Sequence, residues 1–232
     1  MKTTLLFRDL PYAALACFFV VGAVRLARAS HGGAGLKARP AGRIAWLPWV
    51  PWALLAAGHA AVLGLPAAVV AWDTSPPRLY ALEGVGIAAG LGAVVVWSVW
   101  TRRHLARRAP VHVEMADAVF LALLFLGLAT GLSMAVFERW GTLWATATLA
   151  PYVRSLAAGA PDPDGVRSLP FLVQLHVFAA FAALATAPFT SGAARAIQAL
   201  AALSRRRARN ERPTPVAPPP LPSQPSLGES TR

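Results

Sequence analysis

The amino-acid sequence predicts an all-α membrane protein with about five transmembrane helices. Hydrophobic residues make up 56% of the chain and charged residues only 14%, which leaves too little polar surface to coat a water-soluble globule. Five apolar stretches each approach the roughly 20 residues that a helix needs to cross a bilayer. The basic residues gather in the segments between these stretches, as is typical of the flanks of membrane helices.

The five apolar stretches set the predicted domain organisation. They run approximately over residues 10–26, 44–65, 80–100, 116–137 and 169–188. Residues 1–203 are therefore predicted to form one transmembrane domain, and residues 204–232 a basic and then proline-rich tail. From Pro213 onward this tail has too few apolar residues to fold and is predicted to be disordered. Seven tryptophans fall mostly near the ends of the stretches, which is typical of an aromatic belt: Trp46, Trp49, Trp52, Trp72, Trp100, Trp140 and Trp144.

The charge distribution predicts an orientation rather than a nucleic-acid partner. The chain carries 22 Lys and Arg against 10 Asp and Glu, a formal net charge of +12. Most of the basic residues follow the first, third and fifth stretches, and the positive-inside rule assigns such segments to the cytoplasm. We therefore expect the N-terminus outside and the C-terminus in the cytoplasm.

The first apolar stretch also allows two processing interpretations. Lys2 and the Ala-Arg-Ala sequence at 27–29 have some character of a cleavable signal peptide, and the sequence ending at Cys17 faintly resembles a lipoprotein site. Arg8, Asp9 and Pro11 lie where a signal peptide should lack charges and proline. Removal of the stretch would also destroy the charge alternation, so we predict a retained helix.

Histidines are the candidate metal ligands of this chain. A single cysteine, Cys17, excludes an internal disulfide and a cysteine-based zinc or iron–sulfur site, since these need two or more thiolates. His59 and His176 lie inside apolar stretches, where an ionisable side chain is costly and usually functional. The other three histidines fall in predicted loops beside arginines and need no special role: His31, His104 and His112.

The depth of the two membrane histidines predicts that they lie at one level of the bilayer. Each is about seven residues from the outer end of its helix, which places it about 10 Å below the outer surface. Two neutral imidazoles on facing helices would suit the axial positions of a b-type haem, and Gly58 would let a flat macrocycle approach the backbone. The alternative is that each imidazole only hydrogen-bonds a backbone carbonyl or another helix.

Several short motifs in a fixed order resemble the membrane gamma subunit (cytochrome b) family of respiratory nitrate reductase. The resemblance covers about residues 5–190 and lies in the order of the motifs rather than in any one of them. The motifs are Phe7-Arg-Asp-Leu-Pro-Tyr12, Gly58-His59, Arg102-Arg103, Ala116-Asp117, Trp144 followed by Pro151-Tyr-Val-Arg-Ser155, Gln174-Leu-His176 and Pro188-Phe189.

The resemblance implies a haem count that this chain does not fully match. Members of the family usually bind two b haems, each held by the second and fifth helices. His59 and His176 match the ligands of the outer haem. The inner pair would fall at Trp49 and Ala194, which cannot ligate iron, and replacement by His31 or His104 would need a different geometry. We therefore expect one haem b.

The resemblance also implies a quinol site beside the outer haem. Quinol oxidation releases protons, so the site needs a base; Glu83 is the candidate, and Arg78 lies close to a basic position that the family uses near the quinol. Arg154 and Arg167 are candidates for pairing with haem propionates, since guanidinium groups bind carboxylates. The alternative for all four is a charge that lies at the interface or in solvent.

Three functions are compatible with these sequence features and with the resemblance. The first is a haem-containing subunit that anchors a nitrate reductase-like respiratory complex and transfers electrons from quinol to iron–sulfur and molybdenum-containing subunits, without being the terminal reductase. The second is a degenerate membrane anchor or assembly subunit without electron transfer. The third, a transporter, predicts paired broken helices and further buried charges, which the sequence lacks.

Overall fold

The computed structural model describes residues 5–31, 47–106, 111–138 and 141–210, apart from the side chains of residues 31, 104, 111–114 and 205–210. Five helices in this part of the chain are long and apolar enough to cross a membrane, which confirms the predicted number of spans and shows a multi-pass membrane protein. Their candidate membrane segments are Leu5–Ser30, Leu47–Gly64, Pro76–Arg103, Met115–Phe137 and Phe171–Phe189.

Ten α-helices form the described structure. The five that carry the membrane segments are α1 (Leu10–His31), α2 (Val50–Gly64), α4 (Pro76–Leu105), α5 (Val111–Phe137) and α9 (Phe171–Thr186). Short helices connect them: α3 (Pro66–Trp72) follows α2, and α6 (Gly141–Trp144), α7 (Ala150–Ala157) and α8 (Asp164–Arg167) lie between α5 and α9. The last helix is α10 (Ser191–Asn210). A π-helical turn at Leu5–Asp9 precedes α1, and a second at Ala145–Leu149 joins α6 to α7.

Prolines mark two breaks between helices. Leu65 leaves the helical region, with φ −126° and ψ 48°, immediately before Pro66, because the proline ring disfavours the α conformation of the residue before it. The fifth span ends in a 3₁₀ turn at Ala187–Phe189 that contains Pro188, and Thr190 is extended. The chain therefore starts a new helix, α10, after the fifth span.

The packing order of the spanning helices leaves space between α2 and α9. Helix α2 packs on α4, α4 on α5, α5 on α9 and α9 on α1. The two histidine-bearing helices, α2 and α9, are thus held on either side of the α4–α5 pair, and residues from both line one cavity. The loop helices α6 and α7, with the π-helical turn between them, pack against α2 and α3 and contribute to the same cavity.

A small core closes the end of the bundle that carries the α6–α8 loop. Phe7, Tyr152 and Val166 are buried in this core together with Leu156 and Val177. The Tyr152 hydroxyl donates to the Phe7 carbonyl at 2.8 Å. Two of the sequence motifs, the one before the first span and the one in the loop before the fifth, therefore bind each other directly.

Helix α10 is attached to the end of the fifth span by polar contacts. The Ser191 backbone N–H donates to the buried Asp117 carboxylate at 2.8 Å, which places an anion at the N-terminus of the helix, where the helix dipole favours it. The Arg25 guanidinium donates to the Pro188 carbonyl. Helix α10 packs along α1 and extends to Asn210, beyond the predicted domain boundary at 203. The proline-rich segment from Pro213 lies outside the described residues.

Large apolar side chains cover the outside of the helices. Phe19, Val95 and Phe171 are 64%, 64% and 75% exposed. Contiguous exposed apolar surface of this kind is unusual in a water-soluble monomer, and lipid chains would cover it in a membrane. The apolar exterior agrees with the composition-based prediction of a membrane protein.

The Tyr152 hydrogen bond predicts an alkaline loss of stability. Burial, with a smaller contribution from Tyr12, raises the pKa of Tyr152 from 10.0 to about 12. Between these values the unfolded chain releases the proton before the folded protein does, so stability falls as pH rises from 10 towards 12. Tyr152→Phe should cost about 1 kcal/mol near neutral pH and should flatten the alkaline fall. Thermal unfolding in detergent, followed by circular dichroism, tests this; an unchanged alkaline slope would contradict it.

Candidate functional site

Two imidazole rings face each other across the cavity. His59 on α2 and His176 on α9 have ring centroids 6.0 Å apart and ring planes within 16° of parallel. The side chains come from helices at either side of the α4–α5 pair, so their approach depends on the tertiary structure. The sequence-based estimate that they lie at one depth agrees with this proximity.

Hydrogen bonds fix which nitrogen of each ring is free. The His59 Nδ1 lies 2.7 Å from the Leu55 carbonyl oxygen, and the His176 Nδ1 lies 3.0 Å from the Gly127 carbonyl oxygen. A carbonyl oxygen only accepts, so both Nδ1 atoms carry the proton and donate. Neither Nε2 atom has a hydrogen-bonding partner among the described residues. Each ring therefore keeps an Nε2 lone pair for a ligand, the arrangement found when a histidine binds a metal.

A threonine and a glycine on α5 hold the His176 ring. The Thr130 hydroxyl donates to the Leu126 carbonyl at 2.7 Å and lies 3.1 Å from His176 Nδ1, where it accepts a share of the same proton. A Cβ atom on Gly131 would lie 3.1 Å from the Cε1 atom of His176. The His176 ring can occupy this position because Gly131 has no side chain. The hydrogen bond with the buried Thr130 fixes the rotation of the ring.

The ligand set fits a metal that brings most of its own ligands. No group of three or more His, Cys, Asp or Glu side chains capable of holding a metal ion occurs in the described part of the chain. When two imidazoles bind one metal from opposite sides, each metal–nitrogen bond is about 2.0 Å long. With the distance from each nitrogen to the centre of its own ring added, the two ring centres lie roughly 6 Å apart. The observed centroid separation of 6.0 Å is close to this value, and a haem would bring the iron and its other nitrogens.

The cavity beside the histidines is large and mainly apolar. Its volume is about 710 Å³, within the range of cofactor and small-molecule sites. Gly58 lines it next to His59, and a Cβ atom there would meet nothing within 4 Å. The backbone at Gly58 is therefore open to the cavity.

A few polar side chains interrupt the apolar wall. Glu83 on α4 lines the cavity as predicted, and the half-buried Glu138 lines it at the end of α5. Thr142 on α6 also lines it, and the Thr142 hydroxyl donates to Asp73 Oδ2 at 2.6 Å. Asp73 itself is only 6% exposed and lies in the turn between α3 and α4.

The three predicted arginines lie outside the cavity wall. The Arg78 guanidinium lies over the Trp72 ring, 5.0 Å from its centroid, while Trp72 itself lines the cavity. Arg167 is exposed and pairs with Asp164 at 3.0 Å. Arg154 is exposed on α7. The structure therefore brings Glu83 and Gly58 to the two histidines and leaves the arginines at the periphery.

Aromatic packing occupies the position where the resemblance implies the second pair of ligands. The Trp49 ring lies 5.3 Å from the Trp100 ring, and Trp52 stacks on Trp100 at 5.6 Å. Ala194 lies on α10 rather than on the helix that carries His176, because the chain breaks at Pro188.

The prediction that His31, His104 and His112 lie in loops was wrong, because the helices α1, α4 and α5 extend over these positions. The side chains of His31 and His104, the two alternative ligands, lie outside the described residues.

Sequence reasoning missed the residues that support the site from other elements. Thr130 and Gly131 are a small polar residue and a glycine within a strongly apolar stretch. Such small residues indicate close packing of two membrane helices, so they could have been recognised from the sequence. Asp73 and Thr142 gave no such signal, since they are 69 positions apart and each is common in a turn or a helix start. Glu138 closes an apolar stretch and resembles an ordinary interfacial charge.

A comparison with protein families identifies the architecture. The family model described as nitrate reductase gamma subunit matches residues 3–192, a range that contains all five spanning helices and both cavity histidines. No curated protein matches the chain. Because the family model covers most of the 232 residues, the chain belongs to the nitrate reductase gamma subunit family, the membrane cytochrome b subunits of a respiratory complex.

Proposed function

We propose that this protein is a single-haem cytochrome b that anchors a nitrate reductase-like complex in the bacterial inner membrane and transfers electrons from quinol. The observation that carries the proposal is the pair of near-parallel imidazoles, 6.0 Å apart, in which both Nδ1 atoms donate to backbone carbonyls. Family membership supports the respiratory role, and the cavity beside the histidines supports a site for a lipid-soluble substrate.

The haem would be held by His59 and His176, with Gly58 giving room at the face of the macrocycle. When bound, a haem b accepts and donates single electrons in an environment whose polarity and hydrogen bonding set its potential. The apolar wall excludes water from the site, and Thr130 and Gly131 orient one ligand. Arg154 and Arg167 remain candidates for the propionates; Arg167 would have to leave Asp164 to reach them.

Quinol would enter the cavity from the membrane. A quinol ring and its apolar tail match a wall made mainly of aliphatic and aromatic side chains. Glu83 lies at the cavity surface as a proton acceptor, and Arg78, over the Trp72 ring, supplies a cation at the rim. The electrons would leave to a partner subunit that carries iron–sulfur clusters and molybdenum, since this chain holds no ligand set for either in its described part.

The orientation and the haem count are parts of the same proposal. From the basic segments that follow the first, third and fifth spans, we infer that the N-terminus lies outside and the α6–α8 loop lies at the outer face. One haem per chain follows from Trp49 and Ala194, neither of which carries a ligand for iron. The structure adds that Trp49 packs against Trp100 and that Ala194 belongs to α10.

A second candidate function is a membrane anchor or assembly subunit without electron transfer. The aromatic cluster at the position of the second ligand pair favours it, because a complete electron path across the bilayer would need ligands there. The hydrogen-bonded arrangement of His59 and His176 opposes it. An inert anchor gains nothing from two membrane histidines whose Nε2 atoms have no partner in the described structure.

Haem content separates the two candidates. We expect about one b haem per chain in a pyridine haemochrome assay on the purified protein, because two imidazoles provide one axial pair. His59→Ala and His176→Ala should each abolish it, since each variant loses one axial ligand.

His104→Ala, which changes a histidine in the last turn of α4, is the matched control and should keep the haem. Absence of haem from the folded wild type would refute the electron-transfer function and leave the anchor. Two haems per chain would refute the single-haem assignment.

The hydroxyl of Thr130 should affect the reduction potential and the retention of the bound haem. An acceptor on the Nδ1 proton raises the basicity of the ligand and stabilises ferric iron, so Thr130→Val should shift the reduction potential in the positive direction and weaken haem retention by about tenfold. Thr130→Ser keeps the hydroxyl and should behave as the wild type. Spectroelectrochemical titration of the purified variants measures the shift; equal potentials for the valine and serine variants would contradict the role.

A further inference from the structure

A hydrogen-bonded pair behind the cavity wall connects the cavity to the end of the bundle. Thr142 lines the cavity, and its hydroxyl donates to Asp73 Oδ2 at 2.6 Å. Asp73 is 6% exposed, yet it lies in the turn between α3 and α4, outside the candidate membrane segments. The neighbouring Thr74 is exposed. Asp73 therefore lies behind the cavity wall, one residue away from an exposed position of the turn.

The direction of this hydrogen bond decides what the pair can do. The single hydroxyl proton of Thr142 is committed to a carboxylate, which only accepts, so the Thr142 oxygen can offer a ligand only its lone pairs. Asp73 Oδ1 is buried without a hydrogen-bonding partner among the described residues. A buried carboxylate oxygen without a partner is rare in folded proteins and calls for an explanation. Both groups are thus arranged to receive a proton and not to give one.

We propose that Thr142 and Asp73 form a proton-accepting pair for a quinol bound in the cavity, with Thr142 contacting the quinol hydroxyl and Asp73 taking the proton. The inference rests on the proposed quinol site and adds a route that neither the family match nor the resemblance assigns. Quinol oxidation releases two protons, and this pair supplies an acceptor for one of them besides Glu83.

The transfer balances without a further reactant. The O–H bond of the quinol breaks as its proton moves to Thr142 Oγ1, and the Thr142 proton moves at the same time to Asp73 Oδ2. The products are a quinol anion in the cavity and a neutral Asp73 carboxyl group. The anion is the stronger reductant, and a haem b held by His59 and His176 would accept its electrons. Asp73 then releases its proton to water at the turn.

Several described residues near the pair can carry a charge. Glu83 and Glu138 line the cavity from α4 and α5, His59 lines it from α2, and Arg78 lies at the start of α4 over the Trp72 ring. Glu83 and Glu138 face the cavity directly. Asp73 differs from these two acids because Thr142 lies between it and the cavity. A proton can therefore leave the cavity through Thr142 to Asp73 while the apolar wall still excludes water.

The rate of haem reduction by menadiol, a water-soluble quinol, tests the pair in the full-length haem-loaded protein. Removal of a general base typically costs about a hundredfold or more, so Asp73→Asn and Thr142→Val should each slow the reduction by about a hundredfold at neutral pH. Thr142→Ser should be close to the wild type. The loss in Asp73→Asn should shrink as pH rises, because hydroxide replaces the missing base.

Three controls make the result specific. Thr146→Val removes a buried hydroxyl that bonds the Leu143 carbonyl and should leave the rate unchanged. Reduction by dithionite, which needs no proton acceptor in the cavity, should be equal in all variants. Binding of menadione, measured by equilibrium dialysis, should be unchanged in Asp73→Asn, because that variant loses the base and keeps the cavity.

The outcomes separate this inference from the function on which it rests. A wild-type protein that holds haem and is reduced by menadiol, together with Asp73→Asn and Thr142→Val variants of equal rate, would overturn the proton-accepting pair alone. If only Glu83→Gln slows the reaction, Glu83 takes both protons and the pair has no catalytic role. A wild-type protein that menadiol cannot reduce would refute the proposed quinol oxidation itself.

Discussion

The structure depends on one constraint, which is that a polar atom inside an apolar bundle needs a partner within the protein. The two Nδ1 atoms of His59 and His176 meet it through backbone carbonyls on α2 and α5. The two Nε2 atoms have no hydrogen-bonding partner among the described residues. The separation of α2 and α9 by the α4–α5 pair, the open face at Gly58 and the absent side chain at Gly131 all maintain space around these two nitrogens.

The elements that could be predicted from the sequence are those whose signal is local. Hydrophobic length alone identifies the five spans, and the cost of a histidine in an apolar stretch identifies His59 and His176. The contacts of Thr130 with His176 and of Thr142 with Asp73 join residues that are 46 and 69 positions apart. No periodicity or spacing encodes such pairs, because they exist only once the helices pack.

Two sequence motifs acquire a physical meaning in the structure. The segment before the first span and the segment in the loop before the fifth meet through the Tyr152 bond to the Phe7 carbonyl, and Tyr12 donates to the Leu156 carbonyl at 2.9 Å. The first helix is thereby fixed to the loop that forms one wall of the cavity. The two motifs, which lie far apart in the sequence, therefore form one group of contacts that closes one end of the bundle.

The break at Pro188 has an energetic consequence for the cell. The chain leaves the fifth span at this break and continues along α1, so no ligand from the fifth span faces Trp49, and the proposed haem site lies toward one end of the bundle. Electrons that enter and leave at one end do no electrical work against a membrane potential, whereas one charge carried across 100 mV represents about 2.3 kcal/mol. A complex built on this subunit would conserve energy only through the side of the membrane on which protons are released or taken up.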